Sequence, residues 1–178
     1  MKLQFRLLAL AAAAAAAVAP AQAITITGDI TGAPTWTRPF ASFSGPSISG
    51  VGSHYTVTPF TVSATGSYVF QNTAVLPALW DNFTFVYQNA FNAASPLVNG
   101  LIGNDDNPSI GLSGFTTPLT AGTSYFYVVT GFAPSNVGTW SASITGPGNV
   151  NVVPEPASYA LLGLGLAAVL AAARRRVA

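Results

Sequence analysis

Residues 123–130 read Thr123-Ser124-Tyr125-Phe126-Tyr127-Val128-Val129-Thr130. Five consecutive aromatic or valine residues, Tyr125 to Val129, leave neither face of an extended chain polar. A strand of this kind belongs in the middle of a sheet that is covered on both sides. Ala121-Gly122 before it and Pro134-Ser135-Asn136 after it are turn-forming boundaries. Further alternating or β-rich runs lie at 24–27, 54–58, 60–63, 67–71, 83–88, 115–120 and 139–145. Ala64-Thr65-Gly66 and the segment 104–108 supply turns between them. No stretch sustains a 3.6-residue apolar period, so residues 24–150 read as one all-β domain, a sandwich or barrel of antiparallel strands.

The composition narrows the classes. The 178 residues are 50% hydrophobic and only 6% charged, with no cysteine and a formal charge of +1. An ordinary soluble domain is about a quarter charged. Apolar content this high rules out a charged disordered chain, and the missing thiols rule out disulfide scaffolds and zinc fingers. Five of the six cations, Lys2, Arg6, Arg174, Arg175 and Arg176, sit at the two ends. Between them only Arg38 faces Asp29, Asp81, Asp105 and Asp106, so no basic nucleic-acid surface is expected.

The two ends read as addresses. Lys2 and Arg6 precede an apolar run over 7–19, then Pro20 and Ala21-Gln22-Ala23. A cationic start, an apolar stretch of about a dozen residues and an A-x-A site define a secretory signal peptide over 1–23, cleaved after Ala23. At the other end Pro154-Glu155-Pro156 leads into an uncharged run over 157–173 and then Arg174, Arg175 and Arg176. That run predicts a single transmembrane helix, short for a ~30 Å hydrocarbon core and extended by the flanking arginines. The positive-inside rule puts its C-terminus in the cytoplasm, in agreement with an exported N-terminal part.

The tripeptide, the hydrophobic helix and the terminal arginines, in that order over residues 153–178, resemble the PEP-CTERM sorting signal. The resemblance implies that Pro154, Glu155 and Pro156 form the motif read by exosortase, a membrane-embedded transpeptidase. Arg174, Arg175 and Arg176 then act as the stop-transfer anchor. It further implies a transient stay in the inner membrane before delivery to the cell surface. The alternative for this helix is a permanent membrane anchor.

A second resemblance covers residues 60–148. The segments Trp80-Asp81-Asn82-Phe83-Thr84-Phe85, Leu119-Thr120-Ala121-Gly122-Thr123-Ser124-Tyr125-Phe126 and Gly138-Thr139-Trp140 are similar to the bacterial pre-peptidase C-terminal domain. That resemblance implies an antiparallel β-sandwich of jelly-roll type that binds or assembles rather than catalyses.

Chemistry-bearing residues are few. Asp81, Asn104, Asp105 and Asp106 lie in oxygen-rich segments suited to Ca²⁺, which takes six to eight oxygen ligands. They are expected to converge on one calcium ion; the alternative is that they serve their turns, and EF-hand spacing is absent. His54, the only histidine, reads as a solvated strand-edge residue. No G-x-S-x-G elbow accompanies it, which argues against a serine hydrolase. Trp36, in the Pro- and Thr-rich segment 32–39, is the tryptophan expected to stand exposed and stack on a sugar ring; the other aromatics are expected to fill the core.

These readings favour a secreted, non-enzymatic surface or extracellular-matrix protein, an exosortase substrate with a structural or adhesive role in exopolysaccharide or biofilm. Two competitors stand beside it: a calcium-dependent carbohydrate-binding module, and a secreted hydrolase.

Overall fold

The computed structural model describes residues 21–153. The expected signal helix before Ala21, the motif Pro154-Glu155-Pro156, the transmembrane helix and Arg174, Arg175 and Arg176 lie outside the described residues. The described part is built from antiparallel strands: β1 (Gln22–Asp29), β2 (Thr35–Pro39), β3 (Pro46–Val62), β4 (Gly66–Leu76), β5 (Asn82–Gln88), β6 (Gly100–Asn104), β7 (Leu112–Leu119), β8 (Tyr125–Gly131), β9 (Thr139–Gly146) and β10 (Val150–Val152). No helix among the described residues is long and apolar enough to cross a membrane.

The strands form two sheets. One runs in the order β1-β9-β4-β7, the other β10-β3-β8-β5-β6, with β2 also paired to β3. β8 lies between β3 and β5, the central place that its two apolar faces require. Its side chains alternate: Tyr125, Tyr127 and Val129 enter the main core, while Val128 and Phe126 join a second cluster. The main core lies between the sheets, where Phe70, Trp140 and Ile144 of one meet Phe60, Tyr127 and Val86 of the other. Phe70 touches both sides, with ring centroids 5.6 Å from Tyr127 and 5.2 Å from Phe115.

The second cluster is on the outer face of the larger sheet. Trp36, Phe83, Phe85, Tyr87 and Val128 are buried there, with Phe43, Tyr55 and Phe91 packed against them. Cover comes from β2, Phe43 and the segment 89–99. β6 carries Gly100 and Gly103 because aromatic rings press on it: a Cβ would stand 2.2 Å from the Phe43 ring and 2.4 Å from the Phe85 ring.

The expected strands at 54–58 and 60–63 are one continuous strand, β3. Pro59 does not break it, because its nitrogen faces away from β8 and the ladder loses nothing there. β2, the first half of β3, β6 and β10 are strands that the sequence pattern did not announce.

Candidate functional site

The acidic residues converge through strand pairing. β5 and β6 are antiparallel neighbours with Thr84 opposite Asn104 and Phe85 opposite Gly103. Continuing that register toward the strand ends brings the start of β5, preceded by Asp81, beside Asp105 and Asp106. Each of these three residues offers a carboxylate oxygen within 4.8 Å of those of the other two. Oδ1 of Asp81 and Oδ1 of Asp105 are buried and accept no hydrogen bond.

Three carboxylates this close repel one another, and burial removes the water that would otherwise screen them. Asp105 is consequently pushed up to about 6, chiefly by burial, then by Asp81 and Asp106, with Arg38 opposing. Asp81 is raised as well, again by burial first and then by Asp106, against the pull of Arg38. The site is therefore short of positive charge. A divalent cation would relieve both the repulsion and the two unbonded oxygens.

Asn104, at the end of β6, has both ends of its side-chain amide engaged. Its Oδ1 accepts from Gly114 N at 2.9 Å, and its Nδ2 donates to Asp106 O at 3.5 Å. The amide ties the end of β6 to β7 and holds the loop that carries Asp105 and Asp106. Asn107 reinforces it, with Nδ2 donating to Gly114 O at 2.9 Å and its carbonyl accepting from Gln71 Nε2 at 3.0 Å. Asp29 is elsewhere, exposed, with Oδ1 accepting from Thr31 N at 2.7 Å in a local turn.

Arg38 is the residue that sequence reasoning missed. It is 1% exposed, although it is the only cation of the domain. Its guanidinium lies 4.4 Å from the Phe83 ring centroid and 4.7 Å from that of Phe132. It donates to Phe132 O from Nε at 3.0 Å and from Nη2 at 2.8 Å, to Pro39 O, and to Ser49 Oγ. Neutral acceptors and aromatic faces thus hold the charge, while its field reaches Asp81 and Asp105. The available signal was its isolation, one arginine among four aspartates.

Two other expectations are corrected. Trp36 is 5% exposed rather than open to a ligand, and its Nε1 donates to Thr130 Oγ1 at 3.0 Å. It packs on Tyr55, Phe85 and Phe91, because β2 lays it on the outer face of the sheet. His54 is half-buried within β3, opposite Thr35 of β2, and is not a solvated edge residue. Its Nδ1 lies 2.6 Å from Ala33 O, and a carbonyl only accepts, so Nδ1 carries the proton.

Fold and site together define a two-sheet β domain with an acidic loop cluster at one end. Residues 152–176 match the PEP-CTERM protein-sorting motif. This signal implies a secreted protein, sorted via the membrane and processed by exosortase. No curated protein matches the chain. Among solved structures, the pre-peptidase C-terminal domain of a collagenase from Bacillus anthracis is similar at 13% identity and a TM-score of 0.42, over 68% of this chain and 87% of that one. The K3 cleaved adhesin domain of Lys-gingipain from Porphyromonas gingivalis is similar at 21% identity and a TM-score of 0.35, over 68% and 91%. The K1 adhesin domain of the same protein gives 16% and 0.36, over 76% and 99%. The architecture rests on the sheet order described above rather than on these likenesses.

Proposed function

We propose that the chain is a non-enzymatic surface or extracellular-matrix protein with a structural or adhesive role in exopolysaccharide or biofilm. The observation that carries this reading is the junction at Val152: β10, the last strand among the described residues, ends where the matched sorting motif begins. The domain is then the cargo that the signal delivers, with the C-terminus cytoplasmic during transit. The two interleaved sets β1-β9-β4-β7 and β3-β8-β5-β6 are the arrangement that two Greek keys produce, which supports a jelly-roll form of the sandwich. The proton on His54 Nδ1 is engaged by a backbone carbonyl rather than by a carboxylate, which favours a binding or structural role over hydrolysis. Cell fractionation tests the reading. The natural chain is expected at the cell surface or in the matrix, and a chain lacking Pro154-Glu155-Pro156 in the inner membrane. Identical distribution of the two chains would refute it.

The second reading, calcium binding by Asp81, Asp105 and Asp106, draws on their two buried, unbonded carboxylate oxygens. Millimolar Ca²⁺ should raise the melting temperature at pH 7, and Asp105→Asn should abolish the rise. An unchanged melting curve for the natural chain removes calcium from the account.

A further inference from the structure

A cavity of about 260 Å³ opens at the outer margin, where the β2–β3 hairpin meets the end of β6. The hairpin lies directly on that strand: a Cβ on Gly103 would stand 3.2 Å from Ala41 Cα. Buried Arg38 and Ser47, exposed Phe40 and Ser49, and half-buried Asp105 all line the cavity.

Phe40 is 48% exposed, and among the described residues it is the one aromatic side chain that stands open to solvent. It takes the place that the sequence suggested for Trp36. The turn of the hairpin fixes its backbone: Phe40 N donates to Gly45 O at 3.0 Å, and Phe40 O accepts from Phe43 N at 2.9 Å. A ring held in this way loses little freedom when a ligand covers it.

The polar groups beside the ring supply both hydrogen-bonding roles. Arg38 gives N–H bonds to Phe132 O from Nε and Nη2, to Pro39 O from Nη1 and to Ser49 Oγ from Nη2, which leaves one Nη1 hydrogen. Ser47 Oγ lies 3.0 Å from Ser49 Oγ. When Ser49 donates across that contact, the Ser47 hydrogen is left for the cavity. Asp105 brings a carboxylate whose Oδ1 is buried and accepts no hydrogen bond.

This combination narrows the ligand. Asp105, with Asp81 and Asp106 beside it, opposes an anion, and the guanidinium opposes an organic cation. The ligand is therefore neutral, with an edge that both gives and takes hydrogen bonds and an apolar C–H face for an aromatic ring. A sugar ring has these features. The volume is below the roughly 300–1,000 Å³ of pockets for drug-sized ligands, so one ring fits rather than an oligosaccharide.

We infer that this cavity seats a single neutral sugar ring of a polysaccharide. Phe40 lies against its C–H face, Asp105 accepts from neighbouring hydroxyls, and Arg38 and Ser47 donate to its oxygens. A seat for one ring grips a chain end or a side branch rather than the middle of a chain. The inference deepens the adhesive reading above and rests on it for the source of the sugar.

Saturation-transfer NMR on the full-length protein tests the seat. The protein is held in a polyoxyethylene detergent, which carries no sugar, with excess chelator so that calcium takes no part. The probes are the methyl glycosides of glucose, galactose, mannose and N-acetylglucosamine. At least one should receive saturation, with a Kd in the millimolar range expected of a single ring. Phe40→Ala should weaken that binding at least tenfold, and Asp105→Asn, which keeps the shape but loses the charge-assisted bonds, several-fold. Ile48→Ala, on the same hairpin at 91% exposure but outside the cavity, should leave it unchanged. Neither Phe40 nor Asp105 is buried, and melting curves verify that the variants fold. No saturation of any of the four glycosides, or equal binding by the natural chain and folded Phe40→Ala, would overturn the inference. Sugar binding by a chain that stays in the inner membrane despite active exosortase would support the seat and count against the matrix role alone.

Discussion

The two faces of the β8 sheet are both buried, but by different means. The inner face packs on a second sheet whose strands alternate regularly, and its cluster includes Phe60, Phe70, Tyr127 and Ile144. The outer face is covered by β2, Phe43 and a long segment before β6, and it includes a buried arginine whose field reaches Asp81 and Asp105. Sheet-on-sheet packing gives a core with little polar content. Cover by loops and a short strand leaves room for charge at its margin. The domain's stability should therefore reside mainly in the inner face, and its response to pH and cations in the outer margin.

Phe70→Ala is expected to have the largest effect, because its ring bridges the two sheets at 1% exposure. Emptying such a site destabilises by roughly 3–5 kcal/mol, which urea denaturation of the domain measures. A loss below about 1 kcal/mol would mean that the two sheets do not share this core.

Trp36→Ala should cost less, near the lower end of the roughly 3–5 kcal/mol for emptying an aromatic site, because several of its neighbours are only partly buried and the outer layer can close over the space. In a Trp80→Phe, Trp140→Phe background, Trp36 should resist collisional quenching of its fluorescence. Ready quenching by iodide would restore the exposed stacking residue that the sequence suggested.

The acidic margin should give the smallest effect, visible as a pH dependence. Asp105 has a folded value of about 6 against an ordinary 3.8, so the folded state holds its proton more tightly than the unfolded chain does. Stability from this group is greatest at acid pH and is lost as pH rises between about 4 and 6. Asp81 shifts in the same direction. Without added cation, melting temperature should fall over that window, and Asp105→Asn should flatten the fall. A rise over the same window would show that Arg38 outweighs burial and the repulsion among the acids.

The inner face was legible because its strands obey the rule that side chains alternate. The unbroken apolar run at Tyr125 to Val129 placed β8, and the turn at Ala64-Thr65-Gly66 separated β3 from β4. The outer cover was not legible, because β3 inverts the rule. Ser47 and Ser53 are buried, at 2% and 0% exposure, while Ile48 is 91% exposed. Ser49, next in line, serves Arg38. A hydrophobic pattern cannot reveal a strand whose serines point inward. β6 was hidden for a related reason: Gly100 and Gly103 have low strand propensity but are required under the rings of Phe43 and Phe85. With β6 unseen, Asp81 could be grouped with Asp105 and Asp106 only as oxygen-rich turns. Their meeting depends on the β5–β6 register.

The central claim is that this β domain is the cargo of a sorting signal rather than a permanently anchored ectodomain. Intact mass of the protein recovered from the cell surface tests it most directly. The account predicts a chain that has lost Arg174, Arg175 and Arg176 together with the preceding apolar run, and that loss should depend on exosortase. A surface or membrane product retaining the three arginines in cells with active exosortase would contradict it.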